Sequence, residues 1–353
     1  MAVLIIGEGY GHGGDVYKNK IRLDFSVNIS PLGTPEAVQT AAAEAARRIA
    51  AYPDPYCGAL RQKLAEMLGV ETRDILCANG AAELIFQFAL ALKPKKALLP
   101  VPSFSEYETA LAAVGCVPDF YSLRRENGFA LTDDILDKIT PETELLLLCS
   151  PNNPTGLVVD WALLTKIFAR CRETRTWLFL DECFLELADA GKDRSLIPEL
   201  REGDRVFILR AFTKLYGMAG IRLGYSVCKN AAMNATLCRF VQPWNVSTPA
   251  QAAGEAALDC TDFVAETRDV ISREKQFLLR ELNALGISVL PGDANYLLLS
   301  GEPGLYEALL KREILIRSCA NYRGLDSGDC RVAVRTHEEN EALIAALREA
   351  RHA

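Results

Sequence analysis

The segment over residues 213–225 carries the residues best suited to chemistry. Lys214 follows an apolar stretch at 206–209, lies in a glycine-containing turn and precedes Arg222. A lysine amine can form a Schiff base with an aldehyde, and an arginine can bind a phosphate. The pattern therefore predicts a lysine that binds an anionic aldehyde cofactor. The alternative is an exposed lysine beside a buried, ion-paired arginine.

Two further polar groups follow apolar stretches that are typical of buried strands. Asp181 comes directly after residues 177–180, and the turn with Asn153 follows residues 145–148. Because ligands gather at the carboxyl ends of parallel strands, we expect these side chains to meet near Lys214. Asp181 would pair with a protonated ring nitrogen, and Asn153 would contact a ring oxygen. The alternatives are a helix N-cap for Asp181 and a plain turn residue for Asn153.

A helix start and an aromatic residue extend this candidate site. Ala81 and Ala82 follow Gly80 at a predicted helix N-terminus, where free backbone N–H groups favour a phosphate. Phe104 would stack on a flat ring, although an isolated aromatic is more often part of a core. Neither feature is specific by itself.

The elements that must position these residues alternate between helices and short apolar strands. Thr34 is the predicted N-cap of the first helix, with Pro35 at its first helical position. Strands apolar on both faces indicate a mostly parallel sheet covered by helices. The predicted strands of this sheet are 97–99, 145–148, 177–180 and 206–209.

The chain of 353 residues is long enough for two α/β domains and an arm. We expect an N-terminal arm (1–35) that packs with the small domain, a large cofactor-binding domain (36–245) and a small C-terminal substrate domain (246–353). The small domain is predicted to contain a long helical stretch near 250–284 and a final helix from His337. Its predicted strands are 288–290, 296–299, 314–316 and 331–334.

The composition limits the classes of function. A net charge of −7 without a basic patch argues against nucleic-acid binding. No apolar run approaches the roughly 20 residues that span a membrane, and no signal-peptide pattern is present. The 11 cysteines form no CxxC pair, and Cys77, Cys149, Cys171 and Cys228 lie in apolar stretches, which favours buried reduced thiols. We expect a cytoplasmic protein without a metal site.

Taken in chain order, the turn 153–156, the Asp181-Glu182 strand end and the Lys214 segment resemble the fold-type I pyridoxal-phosphate enzymes. The similarity is strongest to the aminotransferase class I/II family, in the branch of histidinol-phosphate aminotransferase. It implies pyridoxal 5'-phosphate bound at Lys214, and a homodimer in which Tyr52 reaches the partner's phosphate site. The implied cofactor contacts are Asp181 at the ring nitrogen, Asn153 near the ring hydroxyl, Phe104 on the ring, and Arg222, Thr213, Ala81 and Ala82 at the phosphate.

Other segments are similar to threonine-phosphate decarboxylases, relatives of that aminotransferase in cobalamin synthesis. These segments are 12–14, 24–33, 242–247, 314–325 and 331–336. Phe184 also fits, because aminotransferases of this branch usually carry a tyrosine there. The resemblance implies decarboxylation of L-threonine O-3-phosphate to (R)-1-aminopropan-2-ol O-phosphate.

Substrate-binding candidates follow from the charge of such a substrate. Arginine pairs with both carboxylate and phosphate, so Arg317 and Arg331 are the candidates for its two anionic groups. His12 and Asn28 of the arm are further donors. The alternatives are structural ion pairs for the arginines and a mobile glycine-rich loop around His12.

Three functions stay open on these grounds. They are decarboxylation, transamination of histidinol phosphate or a related amino acid with 2-oxoglutarate, and a catalytically silent ligand-sensing domain. The two reactions share their first steps, and the Cα bond that stands perpendicular to the ring decides between them. Ala211 departs from the family, which usually places a serine or threonine there on the phosphate. One hydrogen bond is therefore expected to be missing.

Overall fold

A computed structural model describes residues 11–189 and 194–352, so residues 1–10 of the expected arm lie outside it. The strands are β1 (Leu23–Asp24), β2 (Ile75–Ala78), β3 (Ala97–Val101), β4 (Asp119–Ser122), β5 (Leu145–Cys149), β6 (Trp177–Asp181), β7 (Val206–Ala211), β8 (Gly224–Val227), β9 (Ser288–Leu290), β10 (Tyr296–Ser300), β11 (Ile314–Leu315), β12 (Arg317–Ser318) and β13 (Cys330–Ala333). The helices are α1 (Glu36–Ala45), α2 (Gly58–Leu68), α3 (Ala81–Leu92), α4 (Ser105–Ala113), α5 (Trp161–Thr174), α6 (Phe212–Leu215), α7 (Ala231–Leu237), α8 (Thr248–Ala257), α9 (Thr261–Ala284), α10 (Leu305–Leu310) and α11 (His337–His352).

One sheet has seven strands in the order β2-β8-β7-β6-β5-β3-β4. Strands β4, β3, β5, β6 and β7 run parallel to one another, whereas β8 is antiparallel to both β7 and β2. The predicted mostly parallel sheet is confirmed. Strands β2, β4 and β8 are not among the predicted strands; β4 and β8 mix polar with apolar residues and so lack a continuous apolar run.

Both faces of this sheet are apolar and covered by helices. Successive side chains of a strand point to opposite faces. Accordingly, Leu146 and Leu178 belong to one buried cluster with residues of α2, α5 and α8. Leu147 and Phe179 belong to a second cluster with residues of α3, α4 and α7. Burial on both sides explains why these strands are continuously apolar in sequence.

A smaller antiparallel sheet, β12-β13-β10-β9, lies in the C-terminal part of the chain. Leu297 of β10 shares a buried cluster with Leu278 of α9 and Leu343 of α11. Phe25 from the arm belongs to the same cluster, and β1 pairs with β11. The described part of the arm thus packs on the smaller sheet.

The helical stretch predicted near 250–284 is two helices. Helix α8 packs on α1 and contributes Ala250 and Ala253 to a cluster of the large sheet. Helix α9 packs on the small sheet with its C-terminal half, through Leu278 and Leu282, whereas Ile271 nearer its start still belongs to the large-sheet cluster. A single periodic pattern in the sequence does not reveal such a change of partner.

The first helix begins one residue later than predicted. Pro35 occupies the N-cap position, and the Thr34 hydroxyl does not cap the helix. It donates instead to the backbone oxygen of Gly217 at 2.8 Å. The backbone N–H of Ser30 donates to the backbone oxygen of Lys214 at 2.8 Å. The arm is therefore tied to the segment that carries the candidate lysine.

Two observations bear on the expectations from composition. Among the described residues, no helix is both long and apolar enough to cross a bilayer. The thiols of Cys77, Cys149, Cys171 and Cys228 are buried, as predicted.

Replacing Gly217 should destabilise the protein, because its backbone is both left-handed and in close contact. Gly217 has φ +60°, and a Cβ there would collide with the backbone oxygen of Gly33. We expect Gly217→Ala to lower the free energy of unfolding by about 2 kcal/mol or more, measured by urea denaturation.

Gly220→Ala is the matched control. Its Cβ would meet no atom within 4 Å and its φ is not left-handed. We expect a change within about 1 kcal/mol. Equal losses in the two variants would contradict the contact between arm and lysine segment.

Candidate active site

The carboxyl ends of three parallel strands bring the predicted residues to one place. Cys149 of β5 pairs in register with Asp181 of β6, and Asp181 pairs with Leu209 of β7. The three strands thus end at nearly the same level. Asn153 lies in the turn after β5, and Lys214 lies on α6 after β7.

A cavity of about 140 Å³ lies at this edge of the sheet. Its lining includes every residue predicted for the cofactor except Tyr52. The predicted residues in the lining are Ala81, Ala82, Phe104, Asn153, Asp181, Thr213, Lys214 and Arg222. Tyr107, Cys149, Cys183, Phe184 and Ala211 also line it.

One end of the cavity is suited to an anion. Gly80 has φ +88° and precedes the N-terminus of α3, where Ala81 and Ala82 present backbone N–H groups. A Cβ on Gly80 would lie 2.5 Å from Nη2 of Arg222, so the guanidinium packs directly on the glycine. A cation beside a helix N-terminus favours phosphate. Ala211 contributes no hydroxyl here, in line with its departure from the family pattern.

Asp181 is a buried carboxylate that can accept a cationic ligand. Its Oδ2 accepts a hydrogen bond from the Tyr107 hydroxyl at 2.6 Å, and its Oδ1 accepts one from the Cys183 backbone N–H at 2.8 Å. Burial raises the pKa of Asp181. Within the part of the chain that the structure describes, no basic side chain forms an ion pair with it. A protonated ring nitrogen would supply the missing charge.

Lys214 is an activated amine. Burial, followed by the nearby charge of Arg331, lowers the pKa of Lys214 to about 8. The side chain keeps partial access to the cavity, and its Nζ lies 5.4 Å from the ring centre of Phe184. A larger share of neutral amine near pH 7 makes it a better nucleophile toward an aldehyde.

The two candidate substrate arginines approach the cavity from the small sheet. Arg331 donates to Oδ1 of Asn153 and to the backbone oxygen of Ser26. Arg317 lies over the ring of Tyr322 at 5.2 Å, and the Tyr322 hydroxyl donates to the same Asn153 oxygen at 3.2 Å. Asn153 thus contacts Arg331 directly and Arg317 through Tyr322.

The arm lies beside the same cavity. Nε2 of His12 is 3.0 Å from a carboxylate oxygen of Glu106, and its ring is 6.0 Å from that of Phe104. Asn28 is buried, and both polar atoms of its amide lack a hydrogen-bond partner in the described structure. Such an amide is available to a ligand.

Tyr52 is not brought to the cavity of its own chain. Its side chain is 78% exposed and stacks on Trp244, with ring centres 4.3 Å apart. Tyr107, Glu106 and Trp244 are not among the residues predicted from the sequence. Tyr107 had a local signal, because it follows Phe104 by one helical turn. The contacts of the other two are long-range and left no pattern in the sequence.

The donor set fits one kind of cofactor. A lysine amine, a buried carboxylate without a cation, an aromatic ring and an anion site suit a flat cationic ring that carries an aldehyde and a phosphate. The fold and the site together define the class of lysine-based pyridoxal-phosphate enzymes.

Comparisons with known proteins identify the family. The chain matches aminotransferase class I and II over residues 20–347 and belongs to this family. It is 42% identical over 330 residues to threonine-phosphate decarboxylase of Salmonella typhimurium, covering 92% of this chain and 90% of the relative. The protein is a pyridoxal-phosphate-dependent enzyme, and the predicted cofactor is confirmed.

Solved structures agree on the fold. Histidinol-phosphate aminotransferase from Clostridium acetobutylicum superimposes with a TM-score of 0.87 at 28% identity, covering 94% of this chain and 99% of that one. L-threonine-O-3-phosphate decarboxylase from Porphyromonas gingivalis gives a TM-score of 0.82 at 26% identity, covering 94% and 100%. The predicted fold class is confirmed.

The depressed pKa of Lys214 predicts how the cofactor attaches. Below a pH of about 8 the amine is mostly protonated, and above it the neutral nucleophile dominates. The rate at which apo-enzyme binds pyridoxal phosphate covalently should therefore rise through a midpoint near pH 8, as followed by stopped-flow absorbance.

Lys214→Arg is the control and should show no covalent step. A midpoint above pH 10, as for an ordinary lysine, would show that the site does not activate this amine.

Proposed function

We propose that this enzyme decarboxylates L-threonine O-3-phosphate to (R)-1-aminopropan-2-ol O-phosphate, a side-chain precursor of cobalamin. The observation that carries the proposal is a pair of buried arginines without acidic partners. Arg317 and Arg331 are each 6% exposed. Neither forms an ion pair with a carboxylate among the described residues, and nearby Asp329 is bound by Arg125 at 2.7 Å.

Arginine stays charged when buried, so these two cations call for anionic ligands. A buried, unpaired charge costs several kcal/mol, and a bound anion removes that cost. The Nε of Arg331 and the amide of Asn28 are also unpaired among the described residues, which adds donors. A substrate with both a carboxylate and a phosphate meets this demand. The relative from Salmonella typhimurium is named for such a substrate.

Transamination of histidinol phosphate with 2-oxoglutarate is the second candidate. Its support is the close superposition on histidinol-phosphate aminotransferase. The arginines do not separate the two reactions, because glutamate also carries two anionic groups. Phe184 favours the decarboxylase, since aminotransferases of this branch usually have a tyrosine at that position.

When bound, pyridoxal phosphate supplies a cationic ring system that accepts the electron pair released at the substrate's Cα. Asp181 stabilises the positive charge at the ring nitrogen. Arg317 and Arg331 would hold the two substrate anions and so orient the bond from Cα to the carboxylate for cleavage. Cleavage of that bond would release the carboxylate as carbon dioxide.

Lys214 completes the reaction by delivering one proton from Nζ to Cα. A pKa of about 8 suits this role, because the amine can both hold and release a proton near neutral pH. Arg222, Thr213 and the N-terminus of α3 bind the cofactor phosphate throughout.

In this proposal the large domain (36–245) binds the cofactor, and the arm (1–35) and small domain (246–353) bind the substrate. Contacts between the arm and Arg331 support the division. The backbone N–H of Gly14 donates to the Ser26 hydroxyl at 2.7 Å, and the backbone oxygen of Ser26 accepts from Arg331 at 2.7 Å. A movement of Arg331 on binding an anion would therefore be transmitted to the arm through these hydrogen bonds.

The substrate assay is direct. Holoenzyme with L-threonine O-3-phosphate and no keto acid should release carbon dioxide, and Arg331→Gln or Arg317→Gln should raise KM roughly 10- to 100-fold, the loss expected for a charged hydrogen bond. Arg335→Gln is the matched control, because Arg335 is already paired with Glu339 at 3.0 Å. Its KM should stay within about twofold.

Absence of carbon dioxide, together with formation of glutamate from histidinol phosphate and 2-oxoglutarate, would overturn the decarboxylase in favour of the aminotransferase.

We also propose that the enzyme is a homodimer in which Tyr52 enters the partner's site. Large apolar side chains cluster on the surface around it: Ile49 is 72% exposed, Tyr56 73% and Trp244 44%. Such a patch marks an interface, and a two-fold pair covers it with the same patch of a second copy. In this proposed dimer the Tyr52 hydroxyl contacts the partner's cofactor phosphate.

Mixed dimers test this arrangement. Lys214→Ala and Tyr52→Ala subunits should each be poorly active alone. Unfolded together and refolded with cofactor, they should recover about a quarter of wild-type activity, because half the dimers are mixed and each has one intact site. A tyrosine that acts within its own subunit would give no recovery above the sum of the parents.

A further inference from the structure

Tyr107 is a buried side chain beside the proposed cofactor site to which no role has been assigned so far. It lies in the first turn of α4 and is fully buried. Its hydroxyl donates to Oδ2 of Asp181 at 2.6 Å. Its ring stands edge-on to Phe104, with centres 5.7 Å apart. One side chain therefore contacts both the residue predicted to stack on the cofactor ring and the carboxylate predicted to face its nitrogen.

We propose that Tyr107 is a positioning residue that keeps Asp181 ionised and aimed at the ring nitrogen of the cofactor. This inference rests on the role of Asp181 in the proposed function, but not on the choice between decarboxylation and transamination. Both reactions need a positively charged ring, and a neutral Asp181 would no longer favour the ring proton.

The groups around Asp181 show why a hydroxyl is needed. Those that face it are Tyr107 from α4, Cys149 from β5, Cys183 after β6, Lys214 on α6 and Tyr296 from β10. Burial raises the pKa of Asp181, and the hydrogen bonds from Cys183 and Tyr107 act in the opposite direction. Burial also raises the pKa of Cys149 and Cys183, so both stay neutral thiols at ordinary pH.

A neutral donor has an advantage over a cation at this position. An arginine or lysine bound to Asp181 would compete with the ring nitrogen for its negative charge. A tyrosine hydroxyl stabilises the carboxylate without competing, and each carboxylate oxygen keeps capacity for a further hydrogen bond. Burial holds the pKa of Tyr107 well above its ordinary value, so the hydroxyl remains a donor throughout the working pH range.

Tyr107→Phe is the direct test, because it removes the hydroxyl and keeps the ring that packs on Phe104. We expect kcat of the holoenzyme to fall roughly 10- to 100-fold with KM within about twofold, the effect of losing one hydrogen bond to a charged group. Tyr225→Phe is the matched control. Tyr225 is 3% exposed and lies on β8 outside the cavity lining, so kcat of the Tyr225→Phe variant should equal that of the wild type.

A binding measurement distinguishes a positioning role of Tyr107 from a general role in stabilising the fold. The affinity of apo-enzyme is compared for pyridoxal phosphate and for its 1-deaza analogue, in which carbon replaces the ring nitrogen. Wild type should prefer the natural cofactor, and Tyr107→Phe should reduce that preference roughly tenfold. A purely structural role would weaken both ligands equally and leave the ratio unchanged, which overturns the proposal.

The double variant Asp181→Asn/Tyr107→Phe completes the test if the single variant is unstable. If Tyr107 acts through Asp181, adding Tyr107→Phe to Asp181→Asn causes no further change in the affinity ratio. If the two substitutions instead changed the affinity ratio independently, so that their effects multiplied in the double variant, the proposal would be contradicted. If Asp181→Asn alone leaves the ratio unchanged, the role of Asp181 itself is wrong, and that outcome is distinct from a failure of the substrate assignment.

Discussion

Burial of charge without an internal counter-charge is the constraint on which this site depends. Asp181 lies inside the protein with no basic partner among the described residues, and Arg317 and Arg331 lie there with no acidic one. Burying each of these charges without an ion pair costs free energy, and a bound ligand of opposite charge offsets that cost. The carboxylate without an ion-pair partner lies on the large sheet, and the two arginines without one lie on the small sheet.

The geometry of the large sheet makes this separation possible. Parallel strands in register bring the ends of β5, β6 and β7 to one edge, where Asn153, Asp181 and Lys214 meet. The small sheet then supplies Arg331, whose contact with Asn153 joins the two parts. The arm is bonded to both, through Ser30 to Lys214 and through Ser26 to Arg331. The arm thus contacts both the segment that carries Lys214 and the candidate substrate residue Arg331.

Features that depend on local sequence could be predicted, whereas features that depend on contacts between distant segments could not. The strands 145–148, 177–180 and 206–209 were evident, because burial on both faces leaves a continuous apolar run. Roles for the residues at the ends of these strands could be predicted for the same reason. The break between α8 and α9 could not be predicted, and neither could the hydrogen bond from the Thr34 hydroxyl to the Gly217 backbone oxygen. Each depends on which distant part of the chain the segment contacts.

The same distinction applies to function. The cofactor chemistry could be predicted from the sequence, since Lys214, Arg222, Asp181 and Asn153 stand at fixed positions relative to their own strands. The folded structure was needed to show that Tyr107 donates a hydrogen bond to Asp181 and that the arm contacts Arg331. It also showed that both arginines are buried without carboxylate partners among the described residues. These are encounters between segments far apart in the chain, where burial and charge depend on packing rather than on local sequence.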